Sequence, residues 1–323
     1  MRKLLMLVVA CLSLSSLPSR AAPTAGEELA AAVKALKEHH INRALAEWPR
    51  LEAESGGMIK PDAAANSAYP AIRFLIEKLG EKHTFLMEAE QYKQTFSPAA
   101  ALSDDPRSGR SLPVIAELAG GIGVMRLPNL SGPSAITDAY RNRLRDAIAG
   151  FRKKGFCRFI VNLQDNGGGN MWPMLNGILP LLGQPPFGYF IDKDKRSAWH
   201  LAGGEVTAEG TADNTPNTLA IASAAVAVLI DGGTVSSGEF TAIGLKGVPH
   251  TRFFGQPTAG YVTTNAGEAL PDGAMLIISR GYSTDRTGRE YRDRVEPDVL
   301  TQSGQPSIDA ASAWLKEQPC GTR

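Results

Sequence analysis

The chain has 323 residues, 43% of them apolar and 21% charged, with a net charge of +1. That is the composition of an ordinary globular protein, with length enough for one large domain or for a small and a medium one. Charges of both signs are mixed along the chain, which argues against a nucleic-acid-binding surface or an acidic tail.

Met1-Arg2-Lys3 followed by the apolar run Leu4 to Ala10, with small residues at Ser19-Arg20-Ala21, reads as an export signal over residues 1–21. The run is too short for a permanent membrane helix, and no second long apolar run follows it. Val8-Val9-Ala10-Cys11 also has the form of a lipobox, which makes Cys11 an alternative first residue carrying a lipid anchor. A periplasmic, secreted or lipid-anchored protein is therefore expected. Cleavage after Ala21 leaves Cys157 and Cys320, an even count that permits a disulfide; Cys157 is equally readable as a small buried hydrophobe.

Residues 22–95 carry apolar positions at helical spacing, first Leu29, Val33 and Leu36, then Ile72, Leu75, Ile76 and Leu79, and are expected to form a small helical domain or cap. Residues 96–111, broken by Pro and Gly, read as a linker. The rest, 112–323, alternates. Strand-like Ile122 to Leu127 is followed by an amphipathic helix over 138–154 that stops at Gly155, then by a buried strand over Arg158 to Leu163. A second wholly apolar run, Ala224 to Ile230, leads into a helical stretch from Phe240 to Leu245. Such alternation predicts an α/β core of βαβ type, with ligand sites at the strand carboxyl ends. Asp272-Gly273 between apolar runs predicts a hairpin turn.

Both buried strands end in unusual turns. The first runs into Gln164-Asp165-Asn166-Gly167-Gly168-Gly169-Asn170, where consecutive glycines permit positive φ and close approach of another chain. The second runs into Gly232-Gly233-Thr234-Val235-Ser236-Ser237-Gly238-Glu239. A serine at a sharp strand-to-helix turn exposes its oxygen beside the free N–H groups and the positive dipole end of the new helix. Ser236 and Ser237 are both of the right type for a nucleophile. A free hydroxyl is a poor one at neutral pH and needs a base. Of five histidines, His39 and His40 read as a solvated helix face, and His200 and His250 as loop residues. No His/Cys cluster has metal-site spacing, and no cofactor or metal is expected.

Together these turns resemble the C-terminal processing (tail-specific) serine peptidase family, in particular its tricorn-like branch. Asn166, Gly168 and Gly169 match the family's Asp-Leu-Arg-x-Asn-x-Gly-Gly, while Thr234, Ser236 and Glu239 match Thr-x-Ser-x-x-Glu. Leu79-Gly80-Glu81-Lys82-His83-Thr84, Gly255-Gln256-Pro257-Thr258-Ala259-Gly260 and Val295-Glu296-Pro297-Asp298 look like three further family segments, in the family's order. The resemblance implies a ClpP/crotonase-like core acting on peptide or protein substrates. It implies Ser236 as nucleophile, His83 as base and an oxyanion site from the N–H groups of Ser237 and Gly168. Gly167, Gly169 and Tyr261 would then border the substrate. Asn162 and Gln164 replace the Asp and Arg of the first motif, and Tyr261 stands where Ser-Lys members carry their lysine, which argues against a Ser-Lys dyad. The third catalytic partner falls at Tyr291 or Glu290, with Asp293 close by. Too few residues separate His83 from Gly120 for the PDZ domain many members carry. The departures leave two other readings open, a non-catalytic peptide-binding relative and a hydrolase of small esters or amides.

Overall fold

The computed structural model describes residues 21–320 apart from positions 106, 194, 213 and 214. The expected export signal and Cys11 lie outside the described residues. In chain order the elements are α1 (Ala25–His39), α2 (Trp48–Gly56), α3 (Tyr69–Leu79), β1 (Phe85–Met87), α4 (Ala89–Thr95), β2 (Val114–Leu118), β3 (Ile122–Arg126), α5 (Ser134–Lys153) and β4 (Arg158–Asn162). They continue with α6 (Met171–Gly177), β5 (Gly188–Asp192), β6 (Lys195–Ala202), β7 (Glu205–Thr207), β8 (Ala225–Ile230), α7 (Ser237–Leu245), β9 (Thr251–Gly255), β10 (Thr263–Ala269), β11 (Met275–Asp285), β12 (Glu290–Tyr291), β13 (Val299–Leu300) and α8 (Gln305–Glu317).

A six-stranded sheet in the order β13-β9-β8-β4-β3-β2 is the centre of the α/β core, parallel throughout except for the antiparallel edge strand β2. A parallel sheet has to be covered on both faces, which is why β8 is buried at every position. Val226, Val228 and Ile230 share the main core with Tyr140, Leu144 and Ile148 of α5. The alternate residues Ala225, Ala227 and Leu229 face Ala311 and Leu315 of α8 on the other side. Each Leu or Ile so buried contributes about 1.5–3 kcal/mol. Helix α7 is buried along its whole length, its polar residues Ser237, Glu239 and Thr241 included, so it has no polar stripe facing solvent.

A second sheet is built around the long strand β11, which pairs with β1, β5, β10 and β12, and β6 and β7 extend it from β5. The N-terminal helices rest on it: Leu29, Leu36, Ile72 and Leu75 share a core with Leu276 and Ile278 of β11. Asp272 and Gly273, the latter at φ +92°, form the expected β10–β11 turn.

Several local expectations shift. Helix α5 starts at Ser134, just after Pro133, and stops before Gly155 at φ +82°. Strands β5 to β7, absent from the alternating pattern, form antiparallel pairs that are apolar on part of one face only. His200 lies on β6 and is buried, not in a loop, and His40 is buried at the end of α1, accepting from the Asn42 N–H at 3.0 Å. The turn after α1 folds that histidine inward, so the solvated face expected there ends one residue earlier.

Cys157, at the entry to β4, is joined by a disulfide to Cys320, beyond α8, with Cα atoms 5.6 Å apart. The link closes a loop spanning 163 residues of sequence separation and ties α8 to the sheet face it covers. Loss of the crosslink releases chain entropy to the unfolded state, worth about 2–5 kcal/mol for long loops. Denaturant unfolding with and without reductant, and of Cys320→Ala, is expected to show that loss; unchanged midpoints would mean that the crosslink contributes nothing.

Candidate active site

β4 and β8 are neighbours in register, Asn162 opposite Leu229, so their carboxyl ends finish together and the two turns run side by side. Asn166, fully buried, ties them. Its side chain donates to the Leu127 carbonyl at 2.9 Å, and its own carbonyl accepts the Val235 N–H at 2.9 Å. Thr234 donates to the Leu163 carbonyl at 2.8 Å and fixes the second turn from within. Ser236 follows at φ +51°, ψ −116°, a conformation costing a non-glycine residue about 1–3 kcal/mol, which holds its hydroxyl at the head of α7. The replacements in the first motif keep the turn by other means. Asn162 accepts the Gln164 N–H at 2.9 Å, and Gln164 accepts the Gly304 N–H at 3.1 Å, anchoring the start of α8.

His83 arrives from the other side of the molecule. Helix α3 ends at Gly80, φ +68°, and β1 pairs with β11, which leaves His83 between them facing Ser236. Its Nε2 is 2.8 Å from the Ser236 Oγ. Its Nδ1 is 2.9 Å from the Thr263 carbonyl oxygen. A carbonyl only accepts, so Nδ1 carries the proton and Nε2 presents its lone pair to the serine. Behind Thr263 stands Glu81: the Thr263 hydroxyl donates to Oε1 at 3.1 Å, while Oε2 accepts the main-chain N–H of His83 at 2.9 Å and the Thr84 hydroxyl at 3.2 Å. The Asn265 Nδ2 also reaches Nε2, at 3.1 Å. The ring is 3% exposed, and that burial holds its pKa below the ordinary histidine value; nearby Glu81 and the Thr263 carbonyl oppose the fall, and Lys82 adds to it.

Glu239, fully buried, holds the Ser236 turn to the segment leading into β10. One oxygen accepts the N–H groups of Ser236 at 2.9 Å and Tyr261 at 2.7 Å. The other accepts the Gly260 N–H at 2.8 Å and the Thr258 hydroxyl. Burial raises its pKa against these four hydrogen bonds, which favour the carboxylate. Thr258 in turn accepts the Val295 N–H at 2.9 Å, so the Gly255 to Gly260 segment and the Val295 to Asp298 segment meet here.

Other expected partners are elsewhere. The Tyr291 hydroxyl is buried against Asp285 at 2.8 Å, and Glu290 is exposed and paired with Arg292, so neither reaches His83. The strand β12 that carries them pairs with Ser283 and Thr284 of β11, next to Tyr282 opposite Thr263, but the Tyr291 hydroxyl is taken by Asp285 and the Glu290 carboxylate by Arg292. The Gly168 N–H is engaged by the Asn166 Oδ1 at 2.9 Å, which removes it as a free oxyanion donor. Gly168 still borders the nucleophile: at φ +95°, a Cβ there would lie 2.9 Å from that of Ser236. Tyr261 sets its ring edge-on to His83, centroids 5.5 Å apart, and Lys82 lies over the same ring while donating to the Ala259 carbonyl. Lys246 is half-buried, its Nζ on the Glu296 carbonyl and paired with Asp298. Among the described residues no cluster of His, Cys, Asp or Glu is suited to a metal.

Residues 121–301, more than half of the chain, match the model of peptidase family S41. The chain belongs to that family. This S41 protein is thus a serine-type peptidase, acting on peptides. It is 30% identical over 251 residues to the nisin-resistance protein of Lactococcus lactis subsp. lactis, covering 77% of this chain and 74% of the relative. Among solved structures, a lipoprotein from Streptococcus agalactiae shares its fold with a TM-score of 0.75 at 21% identity, over 95% of this chain and all of that one. A photosystem II D1 C-terminal processing protease does so with a TM-score of 0.59 at 16% identity, over 90% and 97%.

The serine and the histidine of this S41 peptidase open on a cleft of about 630 Å³. Gly167, Gly169 and Tyr261 line it, with Met171 and Trp172 beyond the glycines and Phe85 and Phe96 on the opposite wall. Among the described residues no helix is long and apolar enough to cross a membrane. Sequence reasoning did not find Glu81, Thr263 or Asn265 in the site. Glu81 sits inside the segment that pointed to His83 and was within reach; the other two come from β10, and nothing local marks them.

Glu239→Gln tests the hub. An amide fits one pair of donors and turns its own N–H groups on the other, leaving buried donors unpaired at about 1–3 kcal/mol each. Urea unfolding is expected to register that loss, together with a fall in Ser236 labelling by a fluorophosphonate. Unchanged stability and labelling would remove Glu239 from the support of the site.

Proposed function

We propose that this chain is an exported serine endopeptidase in which His83 takes the proton from Ser236. The observation that carries the reading is the 2.8 Å contact between Nε2 and Oγ, with Nδ1 held by a carbonyl that fixes the tautomer. In this mechanism Oγ bonds to the scissile carbonyl carbon as its proton passes to Nε2. The oxyanion is met by the N–H of Ser237, the first residue of α7, at the positive end of the helix. The second donor is assigned to Gly169. Leu130 pairs with this stretch through the Gly168 carbonyl and the Asn170 N–H, which leaves the Gly169 N–H outside the pairing. The Gly169 carbonyl accepts the Ser237 hydroxyl at 2.7 Å, so this residue borders the nucleophile turn. The imidazolium then protonates the leaving amine as the C–N bond breaks, and water, deprotonated by the same nitrogen, releases the acyl group.

Export is supported by the basic and apolar opening of the sequence and by the disulfide, a bond that persists in oxidising compartments. The similar lipoprotein fits either a cleaved signal or an anchor at Cys11. The name of the Lactococcus relative makes nisin the first candidate substrate.

The base assignment fixes a pH dependence. Neutral imidazole is the active form and burial holds its pKa below the ordinary value of about 6.5, so activity rises with pH through a midpoint below that value. Fluorophosphonate labelling across pH 4–8 measures it, and Ser236→Ala and His83→Ala should both abolish labelling with the fold retained. Full labelling of His83→Ala, or a midpoint well above 7, would refute the assignment.

A further inference from the structure

Two donors converge on one acceptor in this site. With Nδ1 protonated against the Thr263 carbonyl, Nε2 has a single in-plane lone pair. The Ser236 hydroxyl approaches it at 2.8 Å and the Asn265 amide at 3.1 Å. Only one of them can lie along the lone pair, and the catalytic step needs that one to be the serine. A second donor on Nε2 also stabilises the neutral ring and so weakens it as a base.

Asn265 is exposed on β10 and lines the cleft with its neighbour Thr264. Among the described residues β10 pairs with β11 alone, so its other edge carries main-chain groups free to meet an extended peptide. A peptide lying there brings carbonyl oxygens, the partners an amide N–H prefers over a shared ring nitrogen.

We propose that Asn265 is a substrate-released brake on the base: its amide shares Nε2 with Ser236 in the free enzyme and moves to a main-chain carbonyl of the bound peptide. Peptide engagement on β10 then leaves the lone pair to the serine. A small reagent with no peptide main chain does not release the brake. The inference rests on His83 being the base.

Asn265→Ala separates the two roles because they have opposite signs. Labelling of Ser236 by a small fluorophosphonate is expected to speed up about two- to fivefold, since the competing donor is gone. Digestion of fluorescein-labelled casein is expected to slow about two- to tenfold in kcat/KM, the value of one lost hydrogen bond to substrate. Asn265→Leu, of similar size, should behave likewise. If labelling slows or is unchanged in both variants, Asn265 supports the site without restraining the base, and the inference falls. Casein digestion that holds its rate overturns the substrate contact. His83→Ala distinguishes the failures: retained labelling there removes the base itself, whereas lost labelling there with slowed labelling of Asn265→Ala removes only the brake.

Discussion

The Glu239 carboxylate is the contact on which the rest of the site depends. Its four donors come from the nucleophile turn and from residues 258–261, two segments that belong to different parts of the sheet system. The second of these continues directly into β10, which delivers Thr263 and Asn265 to His83. One buried group therefore sets the spacing between Ser236 and the strand that orients His83. A neutral side chain of the same size offers no such solution, because all four groups donate and only a carboxylate accepts four times without presenting a hydrogen of its own. Burying that charge is costly; the four hydrogen bonds are what make it tolerable.

The histidine is oriented by a carbonyl rather than by an acid. A carboxylate against Nδ1 would stabilise the imidazolium strongly and raise the basicity of the ring. Here a neutral dipole fixes the tautomer, and Glu81 acts one hydroxyl further back, through Thr263. Burial then wins, and the ring is a weaker base than free histidine. Under the proposed mechanism that suits a nucleophile used at neutral pH, since the neutral ring is the majority form there and the charge it gains lasts only while the tetrahedral intermediate does.

Much of this was legible in the sequence because it is local. The β4 and β8 runs, the glycine turn and Ser236 at a strand-to-helix junction are written in consecutive residues, and parallel pairing of two buried strands brings such turns together. His83 was legible through its motif. What escaped depends on contacts across the chain. Thr263 meets His83 across 180 positions, and nothing in Thr263-Thr264-Asn265 marks a strand edge beside a catalytic ring. Strands β5 to β7 escaped because they are short or, in β6, open on exposed Lys195 and Arg196, which dilutes the apolar signal. Tyr291 and Glu290 lie on β12, one step along β11 from the residue opposite Thr263, yet their side chains are taken by Asp285 and Arg292, partners that local sequence does not reveal. The Gly168 N–H escaped differently: the side chain that claims it, Asn166, is two residues away, but only the folded turn points it inward.

Tyr261 shows how the choice of base propagates. A lysine at this position would need to lose its proton to act on Ser236, and would repel a protonated histidine beside it. The tyrosine ring instead packs edge-on against His83 and receives Lys82 on its face, holding that cation at the Ala259 carbonyl. The ring thereby covers one side of His83, whose other side faces the cleft. Its own N–H is one of the four donors on Glu239. A single residue in this slot thus joins the hydrogen-bond hub to the packing of the His83 ring.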